Sequence, residues 1–213
     1  MNILRIFAAI GKAARRVAAG AGRSFRFARR ILSGFGSPGT WSPVVVTQAR
    51  RLGVDSLPVA LFIALFTGVV LALQSSYAFT GIVPPYFVGT LVGKTIILEL
   101  GPVLTGLVLA GRVGANIAAE LGTMRVTEQI DALETLGYDP VAYLVVPRVL
   151  AGLVTVPIIV GFAVVMGIAA GWLTSISLLE LSSLEFVRGL RMFHRPFDIT
   201  FALIKSASYG VVI

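Results

Sequence analysis

From Ser56 to Gly93 the sequence runs 38 residues without a charge, and from Val149 to Leu179 it runs another 31. About 20 apolar residues suffice to cross the hydrocarbon of a bilayer. Inside that hydrocarbon every backbone N–H and C=O must find its partner within the protein, which leaves helices as the economical spanning element. The predicted fold class is therefore all-α: a polytopic integral membrane protein with kinked or broken transmembrane helices. Charged residues make up only 13% of the 213 and mean hydropathy is +0.91, against about 25% charged residues in soluble domains. An ordinary soluble enzyme is excluded.

The formal charge of +8 suggests nucleic acid until it is located. Arg5, Lys12, Arg15, Arg16, Arg23, Arg26, Arg29 and Arg30 supply all of it with no acid among them, and the rest of the chain is balanced at ten basic and ten acidic residues. At 100° per residue these eight side chains fall within an arc of roughly 140°. Ile3, Ile6, Phe7, Ile10, Val17, Phe25, Ile31 and Leu32 fall on the other side, with Leu4 the exception. That is the pattern of an amphipathic helix lying at the membrane interface, its cations toward anionic headgroups. A cleavable transit peptide has the same pattern. Gly11, Gly20 and Gly22 predict a helix in pieces, and Ser33 to Pro43 predicts a loop. The division is thus a basic interfacial segment and loop over 1–43 and a membrane domain over 44–213. The partner implied by the charge is membrane lipid, with no nucleic acid.

The first span is expected over Leu57 to Phe79, entered from the cytoplasm because Arg50, Arg51 and the basic segment precede it. Gly81 to Pro85 reads as a tight turn. The second apolar region, Tyr86 to Ala119, is too long for a simple span, and breaks are expected near Gly93 and at Gly101-Pro102. Glu120 to Pro140 returns to the cytoplasm. The third span lies within Val149 to Leu173, with a kink at Pro157. Glu180 to Arg195 forms a short outer segment, and Asp198 to Ile213 begins another span. Fifteen residues from Ile199 are too few to cross, so the chain is expected to continue beyond Ile213. Small residues recur every fourth position at Gly106, Ala110, Gly114, Ala118 and Gly122, and again at Ala163, Gly167 and Gly171. Such stripes let helices approach closely in lipid, either within the bundle or between subunits.

The chain has no cysteine and one histidine, His194, so Cys-ligated and multi-histidine metal sites are excluded. Gly89 to Thr95 (GTLVGKT) imitates a P-loop, but the required glycine at 88 is Val88 and the surroundings belong in the bilayer. No nucleophile–base pair is visible, so the chain is read as non-catalytic, with no cofactor of its own; if ATP drives it, a partner hydrolyses it. Lys94 and Glu99 are the ionisable groups deepest in an apolar run. Isolated charge there costs several kcal/mol, so they either line a path for a polar headgroup, snorkel to an interface, or pair to hold a kink. Thr127 to Leu136 (TEQIDALETL) predicts a short helix ending at Gly137, with Ile130 and Leu133 on one side and Glu128, Asp131 and Glu134 on the adjoining one. It is either a helix that inserts into a partner's groove or a solvated loop helix.

Several signatures together resemble one family. Glu99-Leu-Gly-Pro-Val103, Ala110-Gly-Arg112 with Gly114, Ala119-Glu-Leu-Gly122, Met124-Arg125, Thr127-Glu-Gln129, Asp139-Pro140 and Pro147-Arg148 occur in the order found in MlaE/YrbE-type permeases. Val70-Leu-Ala-Leu-Gln74 and Ile204-Lys-Ser206 match too, so the resemblance covers Gln48 to Ile213. It implies the permease subunit of an ABC transporter that moves phospholipid or related lipids between membranes, in the bacterial inner membrane or a plastid. It further implies a homodimer, a cytoplasmic ABC ATPase dimer that binds ATP and Mg, and an MCE-domain lipid-binding protein. On that reading Lys94, Glu99 and Lys205 are candidates for the lipid path. Thr127, Glu128, Gln129, Ile130, Asp131, Leu133 and Glu134 are candidates for the ATPase-coupling helix. The alternatives are an ion-coupled secondary transporter or channel, and a membrane scaffold.

Overall fold

The computed structural model describes residues 3–79, 83–179 and 181–213, with side chains from residue 11 onward except at 13. Its elements are all helical: α1 (Ile3–Gly34), α2 (Pro38–Gly53), α3 (Leu57–Ala78), α4 (Phe87–Thr95), α5 (Gly101–Val126), α6 (Gln129–Thr135), α7 (Val146–Leu178), α8 (Ser183–Met192) and α9 (Pro196–Val212). A π-helical turn, Ile96–Leu100, joins α4 to α5, and a second, Val141–Val145, leads into α7. Among the described residues three stretches are long and apolar enough to cross a membrane: Pro38–Ala78, Phe87–Val126 and Val141–Leu178. The protein is an all-α integral membrane protein.

Proline sets where these helices begin. Each of α2, α3, α5, α7 and α9 carries a proline at its first or second position. There the fixed φ suits the helix, and at Pro38 and Pro196, which no helical turn directly precedes, the missing N–H would have had no intrahelical acceptor.

The bundle is built around α7, against which α2, α3, α5 and α9 pack. Ala60, Leu109, Val113, Val156, Ile159 and Val160 form one buried cluster among α3, α5 and α7. Ala72, Val88, Val92, Ile96, Leu181 and Phe186 form another beneath α8. Phe62, Phe66, Val154, Ile158, Phe162 and Val165 point outward, as lipid-facing side chains must. Close approach depends on glycine at two crossings. A methyl group on Gly68 would run into the backbone carbonyl of Gly167, and one on Gly152 into that of Gly210. These contacts bring α3 and α9 onto α7 with backbone against backbone.

Several sequence expectations need correction. The loop over Ser33 to Pro43 shrinks to residues 35–37, because Pro38 opens α2 and Pro43 lies inside it. α1 is one helix through Gly11, Gly20 and Gly22; each glycine costs about 1 kcal/mol relative to alanine but removes no hydrogen bond, so the helix continues. Gly93 lies within α4, so there is no break there, and Phe87 to Val126 is continuous through the π turn. α7 runs past the expected Leu173 to Leu178 and continues through Pro157. The outer segment holds a helix, α8, whose Ser182 hydroxyl accepts from the Leu184 N–H while Glu185 reaches back to the Ser182 N–H. That Ser-x-x-Glu capping box stands in the sequence. The turn expected over Gly81 to Pro85 lies partly outside the described residues, as does Glu180.

The small-residue stripes divide. Gly167 and Gly171 pack inside the bundle, whereas on α5 only Gly106 meets a neighbour, Tyr209. Ala110, Ala118 and Gly122 are exposed and Gly114 opens onto free space.

Gly152→Ala should destabilise the protein by about 1–3 kcal/mol, since a backbone carbonyl cannot rotate away from the new methyl. Gly161→Ala, which meets nothing within 4 Å, should stay within about 0.5 kcal/mol of the parent. Thermal unfolding in one detergent measures both; equal midpoints would contradict the close crossing.

Candidate functional site

The π turn ends at Gly101-Pro102, and its chemistry follows from the proline. Pro102 has no N–H to offer the Leu98 carbonyl four residues back. That carbonyl accepts a hydrogen bond from Lys205 Nζ of α9 at 3.1 Å. The same ammonium pairs with Glu99 Oε2 at 2.6 Å and lies 5.7 Å from the Phe201 ring centroid. Five residues earlier Lys94 Nζ stands 3.8 Å from Asp198 Oδ2. Asp198 is buried and accepts the Arg195 N–H at 3.1 Å, capping the start of α9. The two pairs follow one another in the same order on both segments, so α9 runs parallel to α4 and its π turn.

Lys94, Glu99 and Lys205 are thus brought to one flank of the bundle, each with a partner. The sequence missed Asp198, although an aspartate two residues after Pro196 is a helix-start signal. The exposure of the second pair is uneven: the Lys205 side chain is 18% accessible but that of Glu99 is 61%. A carboxylate facing outward at this depth requires water or another protein against it.

At the opposite end of α5, Thr127 closes the helix and its hydroxyl donates to the Thr123 carbonyl at 2.8 Å. Glu128 then takes a left-handed conformation, φ 57°, which turns the chain into α6. The short helix therefore starts two residues later than the sequence suggests, and Thr127 and Glu128 belong to the turn before it. Glu128, Gln129, Asp131 and Glu134 are exposed, while Ile130 and Leu133 are half-buried. Arg125 Nη1 donates to Asp131 Oδ1 at 2.5 Å, holding α6 to the last turn of α5. Gly137, at φ 81°, ends the segment. Val126, Leu136 and Tyr138 present apolar surface beside it.

On α1, Lys12, Arg15, Arg16, Arg23, Arg26 and Arg29 are exposed, and so are Val17, Phe25 and Leu32 on the opposite arc. Arg5 lies in α1, with its side chain outside the described residues. Arg30 pairs with Asp139 at 3.0 Å, tying the basic helix to the loop after α6. Phe27, itself exposed, and the half-buried Ile31 border an apolar cavity of about 260 Å³, whose other walls include Leu109, Val113 and Val156.

The P-loop imitation is disposed of by geometry. Gly89 to Thr95 is helix, and its glycines serve packing: Gly89 meets the Phe186 backbone and Gly93 meets Leu190. No loop of amides is available there to cradle phosphate, so the residues do not fit a nucleotide.

This is a helical membrane protein with paired charges set along one flank and an exposed helical loop at one end. Comparison gives the family. The family model described as Permease MlaE matches residues 45–213. A probable ABC transporter permease protein of Rickettsia prowazekii is 38% identical over 211 residues, covering 99% of this chain and 82% of its own length. The intermembrane phospholipid transport system permease protein MlaE of Haemophilus influenzae is 33% identical over 172 residues, 80% of this chain and 66% of that protein. The chloroplastic protein TRIGALACTOSYLDIACYLGLYCEROL 1 of Arabidopsis thaliana is 37% identical over 166 residues, 78% of this chain and 47% of that protein. The chain belongs to the MlaE permease family and is a membrane permease.

Replacing Asp198 separates its two roles. Asp198→Asn retains an acceptor for the Arg195 N–H, whereas Asp198→Ala loses both cap and charge and should cost about 1 kcal/mol more. Unfolding midpoints of the two variants in detergent check this; identical values would show that the cap contributes nothing.

Proposed function

We propose that this permease is the membrane subunit of an ATP-driven lipid transporter, moving phospholipid or related lipids between membranes while a partner ABC ATPase dimer binds ATP and Mg and hydrolyses the nucleotide. The observation that carries this reading is Glu99: a carboxylate in the π turn before Pro102, anchored to Lys205 yet turned outward at bilayer depth. A second copy of the chain is the natural cover for that face. The uncovered small residues of α5, from Ala110 to Gly122, would let two copies approach closely. Between copies, acyl chains would meet apolar walls, contributing about 0.8 kcal/mol per buried CH₂ relative to water. Glu99, Lys205 and Lys94 would fix the position of the headgroup.

The exposed segment around α6 supports docking of the ATPase, with Ile130 and Leu133 seated on the permease and Glu128, Asp131 and Glu134 turned to basic groups of the partner. The membrane implied is the bacterial inner membrane, with α1 lying on its cytoplasmic face and its arginines against anionic lipid. A lipid-binding MCE-domain protein on the far side follows from the family resemblance.

The test is ATP-dependent transfer of labelled phospholipid by the reconstituted complex. Glu99→Ala should lower the rate about tenfold, the effect of roughly 1.4 kcal/mol, while the complex still assembles. Normal transfer by the variant would remove Glu99 from the lipid path. Transport that proceeds without any ATPase would favour an ion-coupled carrier.

A further inference from the structure

Glu120 joins three helices. It lies on α5 six residues before Val126, the helix's last residue, its Oε2 is 2.8 Å from Arg148 Nη2 on α7, and its Oε1 is 3.5 Å from Arg51 Nη1 on α2. The two contacts differ in kind. The Arg51 side chain is 61% accessible, and a pair so exposed contributes little. The Arg148 side chain is only 6% accessible. Its Nη1 donates to the Leu144 carbonyl at 3.2 Å, and its Nε is buried with no partner. A guanidinium with an unsatisfied donor and almost no water depends on its one carboxylate. Glu120 is therefore the carboxylate that compensates the buried Arg148 charge, and through it α5 is fixed to α7.

The position matters because of what lies on either side. Toward the chain's next turn, α5 is joined to α6 through only two residues, Thr127 and Glu128. In the other direction, α7 runs through the centre of the bundle and contacts α9, which bears Lys205 and Asp198. We infer that Glu120 is a positioning residue that transmits movement of the α6 loop to the bundle. Displacing α6 moves the end of α5, and the Glu120–Arg148 pair obliges the start of α7 to follow. Without the pair, α5 slides past α7 and the loop moves alone. The inference rests on the proposal that an ATPase docks at α6.

The experiment uses the full reconstituted transporter and measures three quantities: ATPase retained on purification, ATP hydrolysed, and lipid transferred per ATP. Glu120→Gln removes the charge and keeps the shape. It should retain the ATPase and its hydrolysis while lipid moved per ATP falls on the order of fivefold. A variant that binds the ATPase, hydrolyses ATP and transfers the parental amount of lipid per ATP would overturn the inference. If Glu120→Gln leaves Arg148 too costly to bury and the protein does not fold, Glu120→Gln with Arg148→Met removes both charges. It is expected to fold and to show the same loss of lipid per ATP; parental coupling in that pair would equally overturn the inference. Arg51→Gln, at the exposed contact, should change the ratio less than twofold, and a loss matching that of Glu120→Gln would contradict the role given to the buried pair. Failure of the parental chain to retain any ATPase is a separate result, which removes the docking proposal and the inference with it.

Discussion

In hydrocarbon an unpaired backbone carbonyl costs several kcal/mol, and the arrangement of this permease follows from how it avoids that cost at a proline. Continuous helices satisfy their own carbonyls. Pro102 cannot, and the Lys205 ammonium of α9 reaches Leu98 instead. A half-buried ammonium in turn requires a carboxylate, which Glu99 provides one residue further on. The π turn, the attachment of α9 and the outward carboxylate are thus one solution. Lys94 and Asp198 repeat the linkage further up the same two segments.

The glycines make that solution sterically possible. α9 reaches the π turn because Gly210 and Gly152 let it lie directly on α7, and α3 lies on α7 through Gly68 and Gly167. The stripe on α5 is different in kind. Identical spacing there leaves small residues facing open space, and the proposed pairing of two copies would use that surface.

Much of this was legible in the sequence. The charge-free runs gave the helical membrane class, the arc of arginines gave α1, and Glu99 and Lys94 stood out as charges where charge is costly. What was not legible was pairing. Nothing in the spacing says that Lys205, 106 residues away, lies against Glu99, or that Asp198 takes Lys94. Helix ends were misread where glycine and proline have two meanings. Gly11, Gly20, Gly22 and Gly93 looked like breaks but lie in helices, because glycine weakens a helix without removing a hydrogen bond. Pro38 looked like a loop residue but begins α2. α8 was missed although its capping box was visible, because its mixed charges concealed a helix that lies across α4 and is held by the Thr90 hydroxyl donating to the Gly189 carbonyl at 2.7 Å.

The central claim is that the outward carboxylate at position 99 borders the route taken by lipid. Since the chain contains no cysteine, a single cysteine or photo-reactive residue can be placed without background. A photo-reactive residue at 99, irradiated in native membranes, should capture phospholipid in an amount that changes when ATP turnover is arrested. The same probe at Val165, on the outer surface of α7, should capture bulk lipid regardless of ATP. Capture at 165 alone, or capture at 99 indifferent to ATP, would contradict the account.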